Sequence, residues 1–314
     1  MNGRLLRTLR AARDRHIPLA SLGDDLAGLQ RDLDELTAFG FAIERHPVLG
    51  VCYRGPSARL CPDQIEEDLD TLRVGRRLAV WNRVTSTNDL AARAAASQAN
   101  DGLVILAEEQ TFGRGRRGSA WSAPAQSSLL MSVVFGQGLD PADDLVRLTA
   151  LGAVAVAELV AAWTRVDARI KWPNDVRVEG RKIAGILVER PAGSVVGIGV
   201  NINIARDEFP SELRDSATSV QILAGAPVDR SEFCRELIQR VDRLCQDPAE
   251  LEAAWNSRSE HVGRSVRVET HAGILTGVLR RLDFRDGLIL EAPTGEERRL
   301  GPAQVVRLGP PPSE

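Results

Sequence analysis

Two short stretches concentrate side chains that can do chemistry. GRGRRG, residues 113–118, sets Arg114, Arg116 and Arg117 among Gly113, Gly115 and Gly118. Glycine admits positive φ and close backbone approach. Guanidinium forks suit phosphate or carboxylate. Three neighbouring cations repel one another, so the loop is expected to be mobile alone and ordered by an anionic ligand. RIKWPNDVRVEGRKIAGILVE, residues 169–189, adds Lys171, Asp175 and Lys182. Pro173 biases Trp172 toward extended backbone, and the turn at Val178-Glu179-Gly180 brings Lys182 back alongside. Two lysines and a carboxylate fit nucleotide chemistry: the lysines stabilise charge on a phosphate in flight, and Asp175 can hold Mg²⁺ or orient a ligand.

Residues 113–118 also spell Gly-x-Gly-x-x-Gly. A dinucleotide-binding turn runs from a strand into a helix. Here SAWSAPAQSSLLMSVVF follows, a proline and then a strand, and no acidic residue stands at a convincing ribose position. A Walker A loop and a His-Arg-Asp catalytic loop are both absent from the sequence. The plainer readings are a solvated basic turn and an ordinary hairpin with a surface Lys–Asp pair. Both weaken because the two stretches occur in one chain.

The elements that must position these residues can be read coarsely. The 314 residues suffice for two or three domains, and a 43% hydrophobic content allows a sizeable core. A net charge of −3 does not mark an overall nucleic-acid or membrane binder. Cys52, Cys61, Cys234 and Cys245 form no Cys-x-x-Cys pair, and no secretory segment is seen, which points to a reduced cytoplasmic protein with structural thiols. The four histidines are dispersed, without metal-ligand spacing. The Arg-rich residues 1–20 read as a first helix with a basic face rather than a transit peptide. Residues 148–163 are strongly apolar but too short for a bilayer and contain Glu158, so a buried helix is expected.

Leucines at 26, 29, 33 and 36 predict a helix, and residues 41–54 a hairpin around Pro47 and Gly50. Helices followed by a small hairpin suggest a winged helix-turn-helix; GPSARLCPD (55–63) reads as a linker. From about residue 76 the pattern is mixed α/β. Residues 86–98 form a helix opened by Ser86 and Asp89 at capping-box spacing. Strands fall at 102–110, 127–135, 181–190 and 195–202, and a helix at 231–246. Residues 263–308 alternate with glycine turns, as a small barrel-like β domain does. The GPPPSE tail is expected to be disordered.

STN at 86–88, EEQTFGRGRRG at 108–118, KWPNDV at 171–176, GRKIAGILVE at 180–189 and GIGVNI at 197–202 together resemble the biotin–protein ligase family, in that family's order. The likeness spans roughly residues 80–255. It implies an α+β architecture with a winged helix-turn-helix-like domain at 1–58, a mixed-sheet ligase domain at 76–256 and an SH3-like β-barrel at 260–309. It implies ATP and Mg²⁺ as cofactors, biotin as substrate, and biotinyl-5′-AMP as the intermediate passed to a lysine of a carboxylase's biotin carrier domain. Ser86 and Thr87, with Asn88, would meet the ureido end of biotin, and Gln110 its valeryl side. Arg114, Gly115 and Arg116 would fold over biotin and its adenylate. Lys182 would touch the biotin carboxylate or the acyl-phosphate oxygen. Lys171 would face the ATP phosphates, Asp175 the metal and Asn201 the adenine, with Arg117 and Asn174 in the ATP set. Lys171, Lys182 and Arg116 would carry catalysis. Residues 205–220 would close on ATP.

Alternatives stay open. A lipoate or octanoate ligase would use the same adenylation chemistry. A biotin-responsive DNA-binding repressor role could be additional, but residues 21–45 hold six acids against two arginines where a reader helix needs cations, the basic residues lying instead at Arg4, Arg7, Arg10, Arg13 and Arg15. A homodimer is neither required nor excluded.

Overall fold

The computed structural model describes residues 1–136, 141–190 and 192–311, so the last residues of the tail, 312–314, lie outside the described part. The N-terminal unit is α1 (Gly3–Ala11), α2 (Leu26–Phe39) and the hairpin β1 (Ala42–His46) and β2 (Gly50–Gly55). Asp25 caps α2 through the Gly28 amide at 2.9 Å, and the helix stops at Gly40, whose φ of 111° suits glycine alone. Leu29, Leu33 and Leu36 are buried against Leu5, Leu6, Leu9, Phe41 and Tyr53, whereas Leu26, at the helix start, is exposed.

Residues 55–63 differ from the expected linker. Pro62 does break the chain, but by opening a short helix, α3 (Pro62–Glu66), and Ser57, Leu60 and Cys61 are buried. The apolar pair Leu60-Cys61 is what an open linker would not carry.

The middle of the chain builds one seven-stranded sheet. It comprises β3 (Leu78–Trp81), α4 (Thr87–Ala94), β4 (Val104–Ala107), β5 (Ser128–Phe135), α5 (Pro141–Thr164), β6 (Ala168–Lys171), β7 (Asp175–Val178), β8 (Arg181–Glu189) and β9 (Ser194–Asn201). Three helices then follow: α6 (Val220–Ala224), α7 (Arg230–Gln246) and α8 (Pro248–Arg258). The strand order is β3-β4-β5-β9-β8-β7-β6, parallel at β3–β4 and antiparallel elsewhere. Both α6 and α8 went unread in the sequence, as did β3, β6 and β7 as separate strands.

Strand alternation divides the sheet into two faces. Met131, Val133, Ile186, Val196 and Ile198 face α5, which is sandwiched between the sheet and α7 and α8. The apolar run of α5 extends over Leu145–Thr164, longer than the segment legible in sequence and long enough by composition to cross a membrane. Its packing shows a core helix: Ala150, Leu151, Val154, Ala157 and Val160 are fully buried. The other sheet face carries α4 at one end and open floor at the other.

The C-terminal unit is a five-stranded antiparallel sheet of β10 (Ser265–Thr270), β11 (Gly273–Asp283), β12 (Gly287–Glu291), β13 (Glu297–Leu300) and β14 (Val305–Gly309), in the order β13-β12-β11-β10-β14. The molecule is thus α+β, with one mixed and two antiparallel sheets.

Candidate active site

A cavity of about 210 Å³ lies on the open face of the central sheet. Its floor follows from register. Gly185 of β8 pairs with Gly199 of β9, and Leu187 with Gly197, so the three glycines share one face. None is in a turn; each leaves room for something above it. A β-carbon at Gly199 would lie 2.6 Å from the Trp121 ring, one at Gly197 2.4 Å from Asn88 Oδ1, and one at Gly185 3.2 Å from Lys182 Nζ. The missing side chains seat an indole, an amide and an ammonium.

The polar end is built at the start of α4. Ser86 caps the helix by accepting from the Asn88 amide at 3.3 Å. The expected partner in the cap, Asp89, is used elsewhere: its carboxylate accepts from Thr85 Oγ1 at 2.8 Å and Arg114 at 2.7 Å. Partial burial pushes that carboxyl up, but these two hydrogen bonds outweigh it and hold it below the usual range. Gln110 Oε1 accepts from the Thr87 amide at 2.7 Å and lies 3.0 Å from Thr87 Oγ1. Ser132 Oγ sits 2.7 Å from Thr87 Oγ1 and 2.6 Å from Asn88 Oδ1, and Asn88 Nδ2 donates to Glu189 at 2.6 Å. Ser86, Thr87 and Asn88 are all buried. This is a preorganised set of hydroxyls and amides facing a cavity wall.

The charged end lies on β7 and β8. Lys182 Nζ is 2.6 Å from Asp175 Oδ1 and 5.8 Å from the centre of the Trp121 ring. Asn174 donates to the Ile186 carbonyl at 3.0 Å and accepts from Arg116 at 3.3 Å, pinning the turn between β6 and β7 to β8. Between the two ends the lining is apolar: Trp121 lies over Gly199 and beside Gly185, and Leu130 pairs with Gly199.

The glycine–arginine loop covers the cavity without a helix behind it: Arg116–Gly118 form a single 3-10 turn, kinked at Arg117, and the next regular element is β5. The dinucleotide-turn reading therefore has no structural counterpart. The three guanidiniums fan out to separate partners. Arg114 meets Asp89 and Glu189 (3.1 Å), Arg116 meets Asn174, and Arg117 donates to the Val306 carbonyl of β14. Desolvation against the wall, then the neighbouring Arg117 charge, pull the Arg116 guanidinium below its usual value; it stays charged.

Of the residues singled out in the sequence, Ser86, Thr87, Asn88, Gln110, Arg114, Gly115, Arg116, Asn174, Asp175 and Lys182 line this one cavity. Three do not. Arg117 turns to the C-terminal sheet. Asn201 is buried at the end of β9, donating to the Thr218 carbonyl at 3.0 Å, and so holds the 205–220 segment against the sheet. Lys171 lines a neighbouring cleft with Arg177 and His261. Sequence reasoning missed Trp121, Ser132, Glu189 and the three glycines. The spacing of Gly197 and Gly199 by two within a strand was the available signal, since it places two bare positions on one face. No group of three or more metal-ligating side chains occurs among the described residues.

Comparison with known proteins agrees with this arrangement. Residues 80–204 match the model of the biotin/lipoate A/B protein ligase family. The chain is 36% identical to a biotin–[acetyl-CoA-carboxylase] ligase of Mycobacterium tuberculosis over 248 residues, covering 74% of this chain and 92% of that protein. It is 28% identical to the bifunctional ligase/repressor BirA of Bacillus subtilis over 286 residues, 88% of each chain. The structure of biotin protein ligase from Aquifex aeolicus in complex with biotin and ATP superposes with a TM-score of 0.64 at 25% identity, covering 75% of this chain and all of that one.

Proposed function

Because this chain belongs to the biotin–protein ligase family, we propose that its cavity activates biotin with ATP and hands the biotinyl group to a lysine of a biotin carboxyl carrier domain. The observation that carries the reading is the order of environments along one cavity: fixed polar groups at Thr87, Asn88 and Gln110, with Asn88 over Gly197, then Trp121 over Gly199, then Lys182 beyond the Trp121 ring at Gly185. A ureido head, an aliphatic tail and a carboxylate have the same order.

In the first step the biotin carboxylate oxygen bonds to the α-phosphorus of ATP and pyrophosphate leaves. In the second, the acceptor amine attacks the acyl carbon and AMP leaves. Both steps build negative charge on oxygens. Lys182 and Arg116 converge where that charge would develop, and removing one such donor typically costs about 10²–10³ in rate. Lys182 exchanges Asp175 for the ligand. The loop over the cavity excludes water from the mixed anhydride. Magnesium usually binds one or two carboxylates plus substrate phosphates. Asp175 fits that role as a single carboxylate for an ion arriving on the nucleotide. We assign Asn201 and Asn174 to the adenylate side, Asn201 by holding residues 216–219 in place.

Three domains form part of the same reading: a winged helix-turn-helix-like unit at 1–58, the ligase domain at 76–256 and an SH3-like unit at 260–309. A cytoplasmic setting agrees with four free cysteines. DNA contact gains little from the first helix, because Arg7 and Arg10 are spent on Glu67, Asp68, Asp229 and Glu232 of this chain.

ATP–pyrophosphate exchange with purified protein, offering biotin, lipoate and octanoate separately, tests the function. Exchange is expected with biotin. Exchange only with lipoate or octanoate would replace the substrate, and silence with all three would reject the ligase reading.

A further inference from the structure

Glu189 ends β8 and stands outside the lining of the cavity, on the wall of the next cleft. It nonetheless holds a residue that does line the cavity. Asn88 Nδ2 donates to a Glu189 carboxylate oxygen at 2.6 Å, and the Leu187 carbonyl lies 3.5 Å from the same nitrogen. Carboxylate and carbonyl can only accept. The Asn88 amide is therefore fixed with its nitrogen toward β8 and its Oδ1 toward Ser132 Oγ, 2.6 Å away. The carboxylate is itself held from the loop side. Arg114 donates to both of its oxygens, at 3.1 and 3.4 Å, and Asp89 steadies Arg114 at 2.7 Å.

This orientation decides the balance of donors and acceptors at the polar end. Gln110 Oε1 accepts from the Thr87 amide at 2.7 Å, so the oxygen of that side chain, too, faces inward on Thr87. Three contacts then join oxygen to oxygen: Thr87 Oγ1 to Gln110 Oε1 at 3.0 Å, Ser132 Oγ to Thr87 Oγ1 at 2.7 Å and Ser132 Oγ to Asn88 Oδ1 at 2.6 Å. Each hydroxyl carries one proton. The two hydroxyls cannot supply all three contacts, so the cluster holds a surplus of acceptors. With the Asn88 amide turned over, its NH2 group would face Ser132 and the surplus would vanish.

Resting on the ligase reading, we propose that Glu189 is a positioning residue for head-group recognition. It acts through Asn88 rather than by touching the ligand. By fixing the amide it keeps the polar end rich in acceptors, which favours a head group that brings N–H donors, as a ureido ring does. A buried acceptor left unpaired costs free energy, and a ligand N–H removes that cost. Arg114 extends the effect to the loop. The guanidinium that ties the glycine–arginine loop to α4 also holds the carboxylate that orients the amide, so loop closure and head-group polarity share one group.

The test is calorimetric titration of biotin and of desthiobiotin, which keeps the ureido ring and lacks the sulfur, into the full chain. Glu189→Met removes the acceptor and should weaken both ligands by the same factor, about tenfold, the loss of one charged hydrogen bond. Glu189→Gln keeps an acceptor oxygen and should recover most of the loss. In an Asn88→Ala background the Glu189→Met change should alter binding less than about twofold, because the group it acts through is gone. In exchange assays Glu189→Met should raise the KM for biotin and leave kcat and the KM for ATP as they are. The Glu189 side chain is 34% exposed, so its variants should fold. Asn88 is buried; if Asn88→Ala does not fold, the Gln rescue and the common factor for the two ligands still decide. Equal binding by wild type and Glu189→Met, a loss confined to biotin, or the full loss persisting without Asn88 would overturn the role. Wild type that binds neither ligand would instead overturn the ligase reading.

Discussion

At the scale of single residues, the cavity separates groups that bind charge from groups that merely make room. Lys182→Met keeps an unbranched side chain, one atom shorter, and removes its charge. Single-turnover adenylate formation should fall about 10²–10³-fold, while thermal unfolding changes little, because the ammonium is partly exposed and its ion pair with Asp175 is partly exposed too. Gly199→Ala tests the other kind. The added methyl would meet the Trp121 ring at 2.6 Å and displace it from the floor. Biotin affinity should drop at least tenfold, with a change in tryptophan fluorescence and an intact far-UV spectrum; unchanged affinity would show that the ring is not part of the binding surface. Lys182 and Asp175 were legible because a tight hairpin joins them, so their proximity is a local property. Trp121 over Gly199 was not, because it depends on which strand lies beside which, and short-range pattern does not encode that.

At the scale of elements, residues 55–63 are fastened by a buried ion pair. Arg230 is 1% exposed and Glu108 5%. Arg230 donates to Glu108 at 2.9 Å, to the Ala58 carbonyl at 2.6 Å and to the Ser128 carbonyl at 2.7 Å, and Glu108 accepts from the Leu60 amide at 2.5 Å. Two residues after Glu108 comes Gln110. Breaking one partner of such a pair typically costs about 3–5 kcal/mol, because a charge is left buried alone. Glu108→Gln should therefore lose stability of that order in urea unfolding. The double variant Glu108→Gln/Arg230→Met should lose less than the sum of the singles. Prolines and a glycine marked these residues as a break in regular structure, which they are. That the break is packed rather than free depends on partners some 50 and 170 residues away, beyond the reach of local signals.

At the scale of the whole molecule, one buried apolar cluster runs from the central sheet into the C-terminal sheet, and pH should report on a polar group at that join. His261 sits between the ligase sheet and the C-terminal unit with a folded pKa of about 4, below its ordinary 6.5. Between those values the unfolded chain binds a proton that the native chain does not. Stability therefore falls as pH drops below 6.5, and the loss is complete below about 4, on the order of 3 kcal/mol. His261→Gln should flatten this part of the stability–pH curve; an unchanged slope would assign it to other groups. The N-terminal tie can be tested by truncation. A chain starting at residue 56 keeps the Ala58 and Leu60 contacts to Arg230 and Glu108. A chain starting at 76 loses them, and its unfolding temperature should be the lower of the two.

The Arg117 contact with the Val306 carbonyl has a consequence in time. A ribosome makes the glycine–arginine loop almost two hundred residues before the strand that anchors it. Until β14 has emerged and paired, the nascent chain can fold its polar cavity and its lysine but cannot hold its loop at Arg117. An unfinished polypeptide would thus hold its loop through Arg114 and Arg116 alone, and the pairing of β14 supplies the third tie.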